Sequence, residues 1–247
     1  MSIRIITDSA ADFSVEECKQ HKIISVPLQV IFGEDAYADG QTLTPDIFWT
    51  KLTAALSGTM QSATIAASMA EYDGHIEVIN SKVVATAEKL LVLYACQLRD
   101  EGKSAQEIVE AVKALRPRIR LYACLDTLEY LARGGRIPKA VASVGGVVRF
   151  KPLITLSSEG AVELCGKGIG MHRATEALIK LVEKHTIDRR FPVLPLYTYD
   201  PANCEALVKK LNAAGIECSA EDKCAVGSTI STHVGPGAFG LVFVEAE

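Results

Sequence analysis

Hydroxyl side chains crowd ahead of a single imidazole in Gly227-Ser228-Thr229-Ile230-Ser231-Thr232-His233, and Val234-Gly235-Pro236-Gly237-Ala238-Phe239-Gly240 follows at once. Hydroxyls and an imidazole donate hydrogen bonds, and glycines at this density turn the backbone and leave N–H groups open to a guest. Pro236 stiffens the turn. Thr232, His233 and Gly235 therefore suit a cradle for a small anion such as a carboxylate or phosphate. The rival reading, of equal weight, is a glycine-rich turn between two strands with His233 exposed.

A second anion-suited stretch is Leu56-Ser57-Gly58-Thr59-Met60-Gln61-Ser62-Ala63. Gly58 lies between hydroxyls just before an expected helix over 63–70, where free N–H groups and the helix dipole favour negative charge. Ser57 or Thr59 as a plain helix cap is the commoner explanation of such a pattern.

The elements that must position these residues alternate. Strands are expected over 3–7, 23–32 (notched at Pro27) and 76–80, with helices over 15–20, 45–52, 63–70, 85–100 and 105–115. Asp8, Ser9 and Asp12 read as caps for the first helix, and 33–44 as a polar loop. Arg116-Pro117 breaks the pattern and divides the chain into domains of 1–116 and 117–247. Beyond it come strands over 120–124, 151–156, 161–165, 192–199, 216–222 and 241–245. Helices are expected over 128–131, 138–148, 173–185 and 204–214. The fold class is α/β, with two domains: an N-terminal parallel-sheet α/β domain and a C-terminal α+β domain whose mixed sheet carries helices on one side.

Composition narrows the function. The 247 residues are 49% hydrophobic and 23% charged, enough for a substantial core. A net charge of −4 and no basic run argue against a nucleic-acid partner. No apolar run is long enough to span a bilayer, and no signal peptide opens the chain, which places it in the cytoplasm. Seven scattered cysteines without a CxxC pair read as free thiols, not as a metal or disulfide framework. No P-loop, nucleophile elbow or acidic metal cluster is present, and Asp8 and Asp12 serve better as caps than as magnesium ligands.

Six segments, in order, resemble the signatures of the DegV family: Ile5 to Asp12, Leu56 to Ala63, Asp126 to Leu131, Arg133-Gly134-Gly135-Arg136-Ile137, Lys151-Pro152-Leu153-Ile154 and Thr232 to Ala238. The resemblance implies a bacterial, non-enzymatic protein that binds a long-chain fatty acid without a cofactor or metal. The carboxylate is then held between the domains and the tail lies in the C-terminal one. It also implies presentation of the acid to a separate fatty acid kinase subunit. Carried over, Ser57, Gly58 and Thr59 face the carboxylate from the first domain, and Thr232, His233 and Gly235 from the second. A protonated His233 would offset the charge. Apolar residues within 140–148 and 178–182 are candidates for the tail sleeve, with ordinary core as the commoner reading of each.

Two departures from the family pattern stand out. A helix, a strand and a hydroxyl-bearing segment are missing ahead of Leu56. Ile169 and Met171 stand where arginines are frequent, leaving Lys167 and Arg173 as candidate partner contacts. The competing hypothesis is a small-molecule phosphotransferase or hydrolase with His233 as general base.

Overall fold

Phe239–Val244 has no exposed face, and the architecture follows from that. The sequence FGLVFV is apolar at five of six positions, and every residue of the strand is buried. Such a strand must lie at the centre of a sheet covered on both sides. The structure, a computed structural model, describes residues 3–32, 35–39, 66–67, 69–70, 76–138 and 150–247.

The strands are β1 (Ile5–Asp8), β2 (Ile23–Val26), β3 (Gln29–Phe32), β4 (Asp35–Ala38), β5 (Ile119–Cys124), β6 (Phe150–Leu156), β7 (Val162–Ile169), β8 (Leu194–Tyr197), β9 (Cys224–Ala225) and β10 (Phe239–Val244). Six of them form one sheet in the order β7-β6-β5-β10-β8-β9. All its pairings are antiparallel except β8 with β9, so the sheet is mixed. The helices are α1 (Val15–His21), α2 (Thr86–Asp100), α3 (Ala105–Leu115), α4 (Glu129–Arg133), α5 (Met171–Val182), α6 (Ala202–Ala213) and α7 (Ser228–Val234).

Side-chain alternation along β10 divides the core. Phe239, Leu241 and Phe243 pack with Leu178 and Val182 of α5 and Leu207 and Leu211 of α6. Val242 and Val244 face the other way, into a cluster with Leu90 and Leu91 of α2 and Val112 of α3. Each fully buried aliphatic or aromatic side chain contributes about 1.5–3 kcal/mol of transfer free energy, so this sheet carries most of the cohesion. The second cluster runs across Arg116 and Pro117, because α2 and α3 lie on the face of β5 and β10. Helices therefore cover both faces of the sheet, not one.

The N-terminal region is built from smaller pieces. β1 pairs parallel with β2 through α1, and β3 pairs antiparallel with β4. Ser14, not Asp8, Ser9 or Asp12, caps α1, in a reciprocal box with Glu17. Asp8 instead caps the 3-10 turn Ser9–Ala11, and Asp12 ends that turn in the left-handed region. The chain breaks between β2 and β3 around Pro27, and β4 occupies part of the expected polar loop.

Two expected strands are absent. Residues 76–80 are not paired, and Arg116 Nη1 donates to the carbonyl of Asn80 at 2.7 Å. Along 216–222 the Asn212 amide binds both backbone groups of Cys218, at 2.8 and 2.9 Å, in place of a neighbouring strand. The expected helices over 45–52 and 138–148, and most of 63–70, lie outside the described residues.

Candidate functional site

The largest correction falls on the stretch richest in donors. Residues Ser228–Val234 form α7, not a turn, and His233 is buried at 8% exposure on its last coil. Helix formation uses the amides the cradle reading left open. Gly235 N–H donates to Ser231 O at 2.8 Å, Gly237 N–H to Thr198 O at 3.2 Å, and Ala238 N–H to Thr198 Oγ1 at 2.9 Å. Thr198, 1% exposed, also donates its hydroxyl to Gly235 O at 2.7 Å. The glycine turn is closed on the protein's own backbone, and Gly235 serves shape: with φ of 74° it packs where a Cβ would collide with the Tyr130 ring.

His233 is positioned by close approach. A Cβ on Gly134 would collide with His233 Nδ1, so only glycine fits after α4. That Nδ1 is buried and finds no hydrogen-bond partner among the described residues. Burial, reinforced by the Arg136 charge, lowers the imidazole pKa to about 4. His233 is therefore neutral at pH 7, contrary to the expected imidazolium. An imidazole this acidic is also a poor general base near neutrality, which removes the main support for the hydrolase reading.

The positive charge beside it belongs to Arg136, whose Nη1 donates to Gly134 O at 2.7 Å. Arg136 was visible in the Arg-Gly-Gly-Arg segment, but nothing in the sequence showed which residue it would sit beside. Thr232 lies one residue before His233 and donates its hydroxyl to Ser228 O at 2.9 Å. A ligand at Thr232 must accept that proton in place of the helix carbonyl or donate to the same oxygen.

The other end of α7 meets the N-terminal region. Gly227 N–H donates to Asp12 Oδ1 at 2.8 Å, and Thr229 donates to Asp39 Oδ2 from Oγ1 at 2.6 Å and from N at 3.3 Å. Burial raises the Asp12 carboxyl pKa well above the usual range, against the Gly227 N–H, which lowers it. Nearby Glu88 is raised to about 8 by burial and by the charge of Asp8. Among the described residues, no three or more His, Cys, Asp or Glu side chains are placed to share a metal ion.

Ser57, Gly58 and Thr59 lie outside the described residues, as does the candidate sleeve at 140–148. Leu178, Ile179 and Val182 are packed in the core against β10 and α6, so the ordinary reading holds for them. Lys167 on β7 and Arg173 on α5 are both exposed, on either side of Gly170, the N-cap of α5. Ile169 between them is 67% exposed, a large apolar side chain where the family pattern often has arginine.

A family model described as an uncharacterised protein of the DegV family matches residues 2–55 and 46–246. The chain belongs to the DegV family. A DegV domain-containing protein of Caldanaerobacter subterraneus subsp. tengcongensis is 29% identical over 281 residues, covering 98% of this chain and 99% of the relative. That alignment is longer than this chain of 247 residues, and the family model matches twice with an overlap at 46–55. Both fit a segment missing ahead of Leu56. Among solved structures, a fatty acid-binding DegV family protein from Thermus thermophilus has a TM-score of 0.85 and 27% identity, each chain covered to 100%. A stearic acid-binding protein from Eubacterium ventriosum has a TM-score of 0.82 and 25% identity, with 98% of each chain covered. No helix among the described residues is long and apolar enough to cross a membrane.

Proposed function

We propose that this chain binds a long-chain fatty acid, its carboxylate between the two domains and its tail in the C-terminal one. In this reading Ser57, Gly58 and Thr59 meet the head group from the first domain, and Thr232 and His233 from the second. The observation that carries it is His233: a buried neutral imidazole whose Nδ1 has no partner among the described residues, beside an arginine, in a chain similar throughout its length to fatty acid-binding proteins.

We assign the imidazole proton to Nδ1, the nitrogen without a partner among the described residues, which makes that atom the hydrogen-bond donor offered to the carboxylate. A neutral donor orients a carboxylate, and Arg136 supplies the opposing charge. The tail supplies affinity. Burying about a dozen methylenes is worth roughly 10 kcal/mol gross at ~0.8 kcal/mol each, before the cost of ordering the chain. The protein performs no chemistry on the acid in this reading. It presents the carboxylate to a separate kinase, with Lys167 and Arg173 on the surface offered to that partner.

The test is a fluorescent fatty-acid titration of the parent, Ser57→Ala and His233→Ala, with the methyl ester as comparison. Each substitution is expected to weaken acid binding at least tenfold, the value of a hydrogen bond to a charged acceptor. Ester binding should stay near the parent's. Because His233 is neutral, its penalty should be the same at pH 6.5 and 8. A parent that melts no higher with palmitate than with butyrate would refute the tail; at 100-fold excess over Kd a bound acid adds roughly 2.7 kcal/mol.

A further inference from the structure

Helix α7 carries both C-terminal head-group residues, yet it cannot hold its own first turn. It has seven residues, and its N-cap, Gly227, brings no side chain to the open amides. Those amides are satisfied by the N-terminal region, from residues 190 and 215 positions away in sequence. Asp39 Oδ2 accepts from Thr229 N, from Thr229 Oγ1 and from Ser9 Oγ at 3.0 Å. Ser9 Oγ in turn accepts from Leu28 N at 3.1 Å, and Asp39 N donates to Leu28 O at 2.9 Å.

Asp39 is 5% exposed and is held by Ser9 and Leu28 before it reaches the helix. Asp12 stands beside it so closely that a Cβ on Gly227 would lie 2.6 Å from Asp12 Oδ1 and 3.8 Å from Asp39 Oδ2. The Asp39 carboxylate at the positive end of a helix is well placed electrostatically, and Asp12 accepts from the Gly227 N–H beside it.

We propose that Asp39, with Asp12 beside it, is a positioning residue that sets the orientation of Thr232 and His233 toward the ligand carboxylate from across the domains. The inference rests on the fatty-acid reading for its ligand, but the clasp itself is readable without one. A helix released at its first turn tilts as a unit, because seven residues leave no slack between Thr229 and His233. Loosening the clasp should then let water reach the imidazole at the far end. The titratable groups facing the clasp are Asp8, Glu88 and Lys89; at His233 the facing charge is Arg136.

The experiment compares Asp39→Ala, Asp39→Asn and the milder Thr229→Val in the full chain. Two quantities are read: the ratio of acid to methyl-ester affinity, and the His233 titration by NMR without ligand. Asp39→Asn keeps an oxygen where Oδ2 sits, so it should match the parent within about threefold in affinity ratio and in titration. Asp39→Ala should lower the acid-to-ester ratio about tenfold and move the His233 titration from about 4 toward the ordinary histidine range. Thr229→Val, which removes one of the three bonds, should shift both in the same direction by less, and it keeps the test open if the alanine variant does not fold. A folded Asp39→Ala with the parent's ratio and the parent's titration overturns the proposal. So does an equal loss of acid and ester, since that marks general loosening. A parent without acid preference would instead sink the fatty-acid reading, while the ligand-free titration would still report on the clasp.

Discussion

Two histidines, His185 half-buried and His233 buried, have opposite surroundings. His185 is complete: Nε2 is 2.8 Å from Tyr122 Oη, Nδ1 is 2.7 Å from Glu245 Oε1, and Arg120 holds the other Glu245 oxygen at 2.5 Å. Its ring packs edge-on to Phe243 at 5.6 Å. His233 lies deeper, but its Nδ1 has no partner among the described residues and its neighbour is the Arg136 guanidinium. A buried polar network with every member paired belongs to the fold. One with a member unpaired needs a reason, and a guest supplies one. In the proposed reading that guest is the fatty-acid carboxylate.

The comparison breaks most visibly if the His185 side also controls ligand binding. Phe243→Ala removes a fully buried ring that touches both Tyr122 and His185, and should cost about 3–5 kcal/mol of stability. The acid-to-ester affinity ratio of the surviving folded protein should be the parent's. Chemical denaturation together with ligand titration checks both halves.

Next in size is the response to acid. The folded pKa of His233, about 4, lies below the ordinary value of 6.5, so the unfolded chain takes up its proton first. Stability from this group is fully present above pH 6.5 and is lost as pH falls toward 4, up to about 3 kcal/mol at 1.36 kcal/mol per unit. Glu88 acts in the opposite sense. Raised to about 8, it contributes stability below pH 4.5 that is lost as pH rises through 8. Against the parent, His233→Gln should flatten the stability profile between pH 4 and 6.5, and Glu88→Gln should flatten it between 4.5 and 8. Two profiles that superimpose on the parent would show that neither group is held as the geometry implies.

Much of the scaffold was legible in the sequence, because period and punctuation decide it locally. The apolar period over 105–115 announced α3, and the apolar run near the C-terminus announced a strand over 241–245. The site was legible in part. Thr232 and His233 were singled out as candidates from residue type, but their helix was hidden: glycines on both sides and a run of β-branched and hydroxyl residues favour a turn locally. What makes Ser228–Val234 helical is distant, namely Asp12 and Asp39 at one end and Thr198 ordering the turn at the other. The protonation state of His233 was equally out of reach, since it depends on burial and on Arg136, almost a hundred positions earlier. Long-range satisfaction of polar groups leaves no period to read.

A smaller effect sharpens the His233 side. Gly134→Ala places a methyl group against Nδ1, and the imidazole must move because α4 is anchored by buried Leu131 and Ala132. The strain should cost about 1–3 kcal/mol, as overpacking does. Acid affinity should fall with it while ester affinity holds. An alanine variant that is destabilised yet binds the acid like the parent would show that the imidazole supports the fold without touching the ligand.

The smallest effect tests whether the two histidines are independent. Tyr122→Phe deletes one hydroxyl and keeps the ring, which stays packed 6.2 Å from Phe243. His185 Nε2 then loses its partner, while Glu245 still holds Nδ1 and Arg120 still holds Glu245. The net worth of such a bond is about 1 kcal/mol, so the urea midpoint should fall slightly with an unchanged slope. Combining Tyr122→Phe with Glu245→Gln should give less than the sum of the single losses, because both act through the same ring. Combining it with Gly134→Ala should give the plain sum, because among the described residues no hydrogen bond or ring contact joins the two sites. Acid affinity is the deciding measurement. If Tyr122→Phe alone alters it, the completed network and the open one form a single system, and an unpaired nitrogen no longer distinguishes the ligand site from the fold.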